Sequence, residues 1–177
     1  MSSTPFPELR IAGTVQDSIV DGPGLRYVIF TQGCPHNCPG CHNPQTHDFT
    51  GGSVADTEKI LAAIAANPLL GGVTFSGGEP FCQAQALVPI AEAVKSAGQH
   101  LMIYTGYLYE DLLKMQDSGV QRLLELADVL VDGPFILAQR NLTLQYRGSD
   151  NQRVIDLPGT RKTGKIVLYK SDYDDLW

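Results

Sequence analysis

Residues 33–44 read Gly-Cys-Pro-His-Asn-Cys-Pro-Gly-Cys-His-Asn-Pro, and three of the chain's four cysteines lie here. Cys34, Cys38 and Cys41 follow a C-x3-C-x2-C spacing. Pro35, Pro39, Gly40 and Pro44 forbid a regular helix, so the thiols must converge from a tight irregular loop. Soft thiolates packed this closely select zinc or an iron–sulfur cluster. A structural zinc site closes its tetrahedron with four Cys or His ligands, commonly from two separated pairs. No second C-x2-C follows in this chain, and the ferredoxin run C-x2-C-x2-C-x3-C is absent as well. On a four-iron cluster, three thiolates leave one iron without a protein ligand, a place where a small molecule can bind. An iron–sulfur cluster, a zinc-binding interaction module using His36 or His42, and thiol redox use all fit the spacing alone.

The elements around this loop alternate between two periodicities. Residues 25–32 are rich in β-branched and aromatic side chains and read as a strand that delivers the cysteine loop at its end. Ile11 to Val20 reads as a short strand or loop, and Asp21-Gly22-Pro23-Gly24 as a turn. Asp56-Thr57-Glu58 opens an amphipathic helix to about Ala65. Further strands are expected at Gly72–Phe75, His100–Tyr104, Asp128–Val131 and Gln152–Leu157. Helices are expected over 83–97 and over 108–126, the latter broken near Ser118-Gly119. Such alternation predicts α/β architecture with parallel strands and right-handed crossovers. The chain is too short for a closed eight-fold barrel, which leaves an open, partial (β/α) barrel. In that architecture the strands' carboxyl ends share one rim, so the cysteine loop, Ser76-Gly77-Gly78-Glu79-Pro80, Thr105-Gly106 and Asp132-Gly133 should converge.

With 177 residues, 43% of them hydrophobic, residues 1–177 read as one domain. Residues 1–10 form a loose arm and 159–177 a solvated extension in which Ile166–Tyr169 can add an edge strand and Trp177 can dock. A formal charge of −6 argues against a nucleic-acid-binding surface. No apolar signal core and no run of about 18 apolar residues occurs, so the expectation is a cytoplasmic protein without a membrane span.

Several ordered motifs surround the cysteines: Val20-Asp21-Gly22-Pro23-Gly24, Gln32-Gly33-Cys34, Cys38-Pro39-Gly40-Cys41, Ser76-Gly77-Gly78-Glu79-Pro80, Tyr104-Thr105-Gly106-Tyr107, Val131-Asp132-Gly133 and the run Arg147 to Arg153. Together they resemble the radical S-adenosylmethionine (radical SAM) enzymes. The resemblance is closest to glycyl-radical-enzyme activases, above all those of anaerobic ribonucleoside-triphosphate reductase. It implies that Cys34, Cys38 and Cys41 bind a 4Fe-4S cluster whose open iron takes S-adenosyl-L-methionine. It further implies a one-electron cleavage that yields an adenosyl radical and then a glycyl radical on the reductase, with a low-potential donor such as flavodoxin. A different target, such as pyruvate formate-lyase, is the alternative.

By the same resemblance, backbone at Gly40, Cys41 and His42 lies against the adenine, and Gly78 receives the methionyl amine. Glu79 braces the turn beside it, and Thr105 and Asp132 lie near the cofactor's carboxylate. Some activases hold a monovalent cation there, with an acid before the threonine and a lysine after the aspartate. Tyr104 and Gly133-Pro134 stand in those places here, so the carboxylate contact must be supplied differently. Cys82 is expected to be a free, buried thiol and His36 a surface loop residue. The Arg147–Asn151 loop is expected to hold either the cofactor or the partner's glycine loop.

Overall fold

The computed structural model describes residues 6–171, and expectations about the first five residues, Asp172 onward and Trp177 lie outside the described residues. Seven strands form one sheet: β1 (Arg10–Ser18), β2 (Arg26–Thr31), β3 (Ser53–Val54), β4 (Gly72–Gly77), β5 (His100–Tyr104), β6 (Val129–Asp132) and β7 (Arg153–Asp156). Their order is β3-β1-β2-β4-β5-β6-β7. The central strands β2, β4, β5 and β6 are parallel; β1 pairs antiparallel with β2 and β3 antiparallel with β1 at one side, and β7 pairs antiparallel with β6 at the other. The sheet does not close on itself, giving the open, partial (β/α) barrel expected.

Strand periodicity sorts side chains between two faces. Tyr27, Ile29, Val73, Phe75, Leu101, Ile103, Leu130 and Ile155 enter the main core. There they meet Ile60 and Ile64 of α1 (Thr57–Ala66), Leu87 and Ile90 of α2 (Ala84–Ser96), and Leu112 of α3 (Tyr109–Lys114). Leu123 of α4 (Ser118–Leu126) and Leu157 of α5 (Leu157–Thr163) complete that layer. The alternate residues face the other way. Met102, Val129 and Val131 form a second, smaller cluster there, and Arg26 is fully buried on the same face. The Arg26 guanidinium donates to Thr74 Oγ1 (3.0 Å) and to the carbonyls of Val73 (2.6 Å) and Pro23 (3.3 Å). Burial lowers its pKa to about 10.

Helix starts follow side-chain caps. Asp56 accepts from Lys59 N, Asp117 from Gly119 N and Val120 N, and Asp156 from Gly159 N. Because Asp117 caps α4, the break in 108–126 falls at Met115–Asp117, and Ser118-Gly119 forms the first turn of α4 instead. Two further expectations are corrected. The final strand, β7, pairs antiparallel with β6, because the long connection over 133–152 stays at the rim, with one short 3-10 turn (Leu137–Gln139) and no crossover helix to return it to the far end of the sheet. Residues after Gly159 are not simply a solvated tail: α5 ends at Gly164 in the left-handed region, and Leu168 then bridges to Ile155. No helix among the described residues is long and apolar enough to cross a membrane.

Candidate active site

The parallel strands end at one rim, and a cavity of about 540 Å³ opens there. Thr31 of β2 leads through Gln32 and Gly33 into the cysteine loop. Gln32 ties down the loop's base: its Nε2 donates to the carbonyls of Gln45 (3.0 Å) and Asp48 (2.6 Å). The amides of Gly33 and Cys34 donate to Thr46 O (2.8 Å) and His47 O (3.2 Å), closing the loop on itself. Cys34, Cys38 and Cys41 all line the cavity and are all half-buried.

No three Cys, His, Asp or Glu side chains among the described residues gather tightly enough to chelate one ion. Thiolates of a multinuclear cluster bind separate metal atoms and need not meet at one point. The donor set suits such a group: three soft sulfurs on one wall, with the Asn43 amide donating to Cys41 Sγ (3.4 Å). Burial pushes the Cys34 thiol up to about 11, against the pull of the His36 amide on its sulfur. Cys34 is therefore protonated at neutral pH until a metal displaces the proton. Cys82 does not line the cavity; it is exposed, a correction to the buried thiol expected, and burial of part of its side chain raises its pKa while the nearby Tyr107 hydroxyl opposes that rise.

Gly77 and Gly78 line the cavity where β4 ends. A Cβ at Gly78 would collide with the Gly33 carbonyl, so the turn and the cysteine loop touch backbone to backbone. Glu79 follows and is fully buried. Its carboxylate accepts from Phe81 N (3.1 Å), Thr105 Oγ1 (2.9 Å), Gly106 N (2.9 Å) and His36 Nε2 (2.7 Å). It thereby joins the ends of β4 and β5 to the cysteine loop. His36 is accordingly no surface residue. Its side chain is 15% exposed, its ring meets Tyr107 edge-on at 4.5 Å, and it fills the space a side chain at Gly106 would need.

Thr105 and His42 line the cavity, and His42 packs its ring against Phe135 at 5.2 Å. Gly40 is exposed and lies outside the lining at φ +74°, with Leu137 packed where a Cβ would project. Asp132 is fully buried and stands behind the lining. Asp132 Oδ1 accepts from Arg153 Nε (2.9 Å), while Oδ2 accepts from Tyr109 N (2.8 Å) and from Arg153 Nη2. The strand-end motifs thus come together, with Glu79 and Asp132 as buried ties beneath the surface. Sequence reasoning missed His36 as a tie, because its partner Glu79 is 43 residues away.

The 4Fe-4S single cluster domain family matches residues 20–155. An anaerobic ribonucleoside-triphosphate reductase-activating protein of Vibrio cholerae is 36% identical, over 76% of this chain and 89% of that protein. The protein of the same description from Haemophilus influenzae is 32% identical over the same shares. A pyruvate formate-lyase-activating enzyme of Clostridium pasteurianum is 41% identical, over 70% of this chain and 55% of that enzyme. Among solved structures, QueE from Escherichia coli superposes with a TM-score of 0.44 at 22% identity, over 56% of this chain and 53% of that one.

Proposed function

Since the chain belongs to the 4Fe-4S single cluster domain family and, within it, to the activating proteins of glycyl-radical enzymes, we propose that it activates an anaerobic ribonucleoside-triphosphate reductase. The cofactors are a 4Fe-4S cluster and S-adenosylmethionine. The observation that carries this reading is the cavity itself. Three cysteine thiols from one loop and the bare main chain of Gly77-Gly78 face the same open space, and the fourth cysteine stands outside it.

Cys34, Cys38 and Cys41 would hold the cluster, and the Asn43 amide would stabilise charge on Cys41. A bound, reduced cluster would supply the single electron for reductive cleavage of S-adenosylmethionine, the chemistry that would serve removal of a hydrogen atom from a glycine of the reductase. The chain's own residues bind, orient and exclude water. Gly78 lets a ligand approach the strand end closely, and its neighbourhood receives the amine. Cys41 and His42 flank the adenine, with Gly40 setting the loop's left-handed turn. Thr105 sits at the cofactor's edge, while Glu79 and Asp132 hold the loops that shape the pocket. Phe30 and Tyr104 present aromatic surface to the same space. The open rim admits a polypeptide loop.

The test is anaerobic reconstitution with iron and sulfide, reduction chemically or by a flavodoxin, and addition of S-adenosylmethionine with the reductase. The expected results are 5′-deoxyadenosine and a glycyl radical seen by electron paramagnetic resonance. A loaded protein that cleaves no S-adenosylmethionine would sink the reading. The 41% identity to the Clostridium enzyme supports a second target. A radical formed on pyruvate formate-lyase and not on the reductase would favour it.

A further inference from the structure

The loop between β6 and β7 carries an arginine that the roles above leave unused. Arg147 is the only lysine or arginine among the described residues lining the cavity, and Asp21 is the only carboxylate. Its placement is enforced from several sides. Gln152 Oε1 accepts from the amides of Gly148 (2.9 Å) and Ser149 (3.2 Å), while Gln152 Nε2 donates to Gly133 O (3.0 Å). Asn151 Nδ2 donates to Pro134 O (2.8 Å), so the loop is pinned twice to the end of β6. Tyr146, just before the arginine, takes φ +62°. For a bulky side chain that conformation costs about 1–2 kcal/mol and persists only where the surrounding loop dictates it.

The guanidinium is itself half-anchored. Its Nη1 donates to the carbonyls of Gln152 (2.6 Å) and Asp150 (3.3 Å). Nε and Nη2 make no hydrogen bond among the described residues. A guanidinium fixed on one side, with two donors free beside a cavity, is a preorganised fork for a planar anion. The charge balance selects which anion. One guanidinium and one carboxylate line the same cavity, which suits a ligand carrying one negative and one positive group. A phosphate dianion would be left under-neutralised beside Asp21.

We propose that Arg147 receives the α-carboxylate of S-adenosylmethionine and selects it against sulfonium nucleosides that lack that group. This inference rests on the proposed function. It is tested by anaerobic equilibrium dialysis of the cluster-loaded protein, with labelled S-adenosylmethionine and its decarboxylated analogue, using the parent, Arg147→Lys and Arg147→Met. The parent should prefer the carboxylated ligand. In Arg147→Met that preference should fall by about 10- to 100-fold, the size of one lost charge-assisted hydrogen-bonded pair. Binding of the decarboxylated analogue should change by less than about threefold, and Arg147→Lys should lie between. Iron content and melting temperature equal to the parent's establish that the variants are folded.

Equal weakening of both ligands would overturn the inference and leave Arg147 a purely structural loop residue. An unchanged preference, with loss of the radical on the reductase alone, would also overturn it and assign the arginine to the incoming polypeptide. A loaded parent that binds neither ligand would overturn the proposed function first and this inference with it. The parent's own binding therefore separates the two failures.

Discussion

Replacing Glu79 by glutamine changes almost no volume, yet it should loosen the whole rim. The buried carboxylate accepts from Phe81 N and Thr105 Oγ1 at one oxygen and from His36 Nε2 and Gly106 N at the other. Whichever way the amide turns, its NH2 group faces one of the two main-chain N–H groups, so a donor there loses its acceptor. That costs about 1–3 kcal/mol, and the remaining bonds lose charge assistance worth about 1 kcal/mol more. A total of about 3 kcal/mol corresponds to a fall in Tm of roughly 6–12 °C for a chain this size. Thermal unfolding of the reduced, metal-free protein, followed by circular dichroism, measures it directly. A double-mutant cycle with His36→Ala should return a coupling of about 1.5–3 kcal/mol. Iron in the reconstituted variant should also be lost to a chelator several-fold faster than in the parent. A Glu79→Gln protein melting within 2 °C of the parent, with the same chelation rate, would refute the idea that this carboxylate ties the three loops together.

Cys34→Ser, Cys38→Ser and Cys41→Ser should each lose most reconstituted iron and its visible absorbance, whereas Cys82→Ser should keep the parent's iron content; iron loss in Cys82→Ser would contradict its place outside the cavity. Gly78→Ala drives a Cβ into the Gly33 carbonyl, so far-ultraviolet circular dichroism should stay near the parent's while iron loading falls at least about tenfold, a penalty of more than about 1.4 kcal/mol. Burial, with Arg26 nearby, holds the His100 imidazole down to about 4, below its ordinary 6.5. The unfolded chain therefore binds the extra proton first: this contribution is intact above pH 6.5 and is lost as pH falls toward 4. The loss is about 1–2 kcal/mol after solvent screening. Urea titrations from pH 7 to pH 4 should show this slope, and His100→Gln should flatten it.

The chemistry was legible along the chain because its pieces are local. Cys34, Cys38 and Cys41 share one loop, Gly77-Gly78-Glu79 one turn, and strand and helix periods are properties of ten-residue windows. Those windows placed β2, β5, α1 and α2 within a residue or two, and the strand-end rule brought the motifs to a common rim. Side-chain direction was not legible. Asp132 belongs to a strand-end motif, but Arg153 and the Tyr109 amide hold its carboxylate behind the cavity lining. His36 sits among metal-loop residues, yet Glu79 draws it inward. β7 has the composition of any other strand, and the path of the 133–152 connection, which stays at the rim and forms no crossover helix, makes it antiparallel.

Donor types, their spacing and the alternation of elements were thus determined by the sequence alone, since each depends on neighbours a few bonds apart. Which carboxylate faces the ligand and which is consumed as a brace was decided only in three dimensions. A buried charge must find its partners wherever the fold supplies them, and for Glu79 and Asp132 all but the adjacent Phe81 amide lie 21 to 43 residues away.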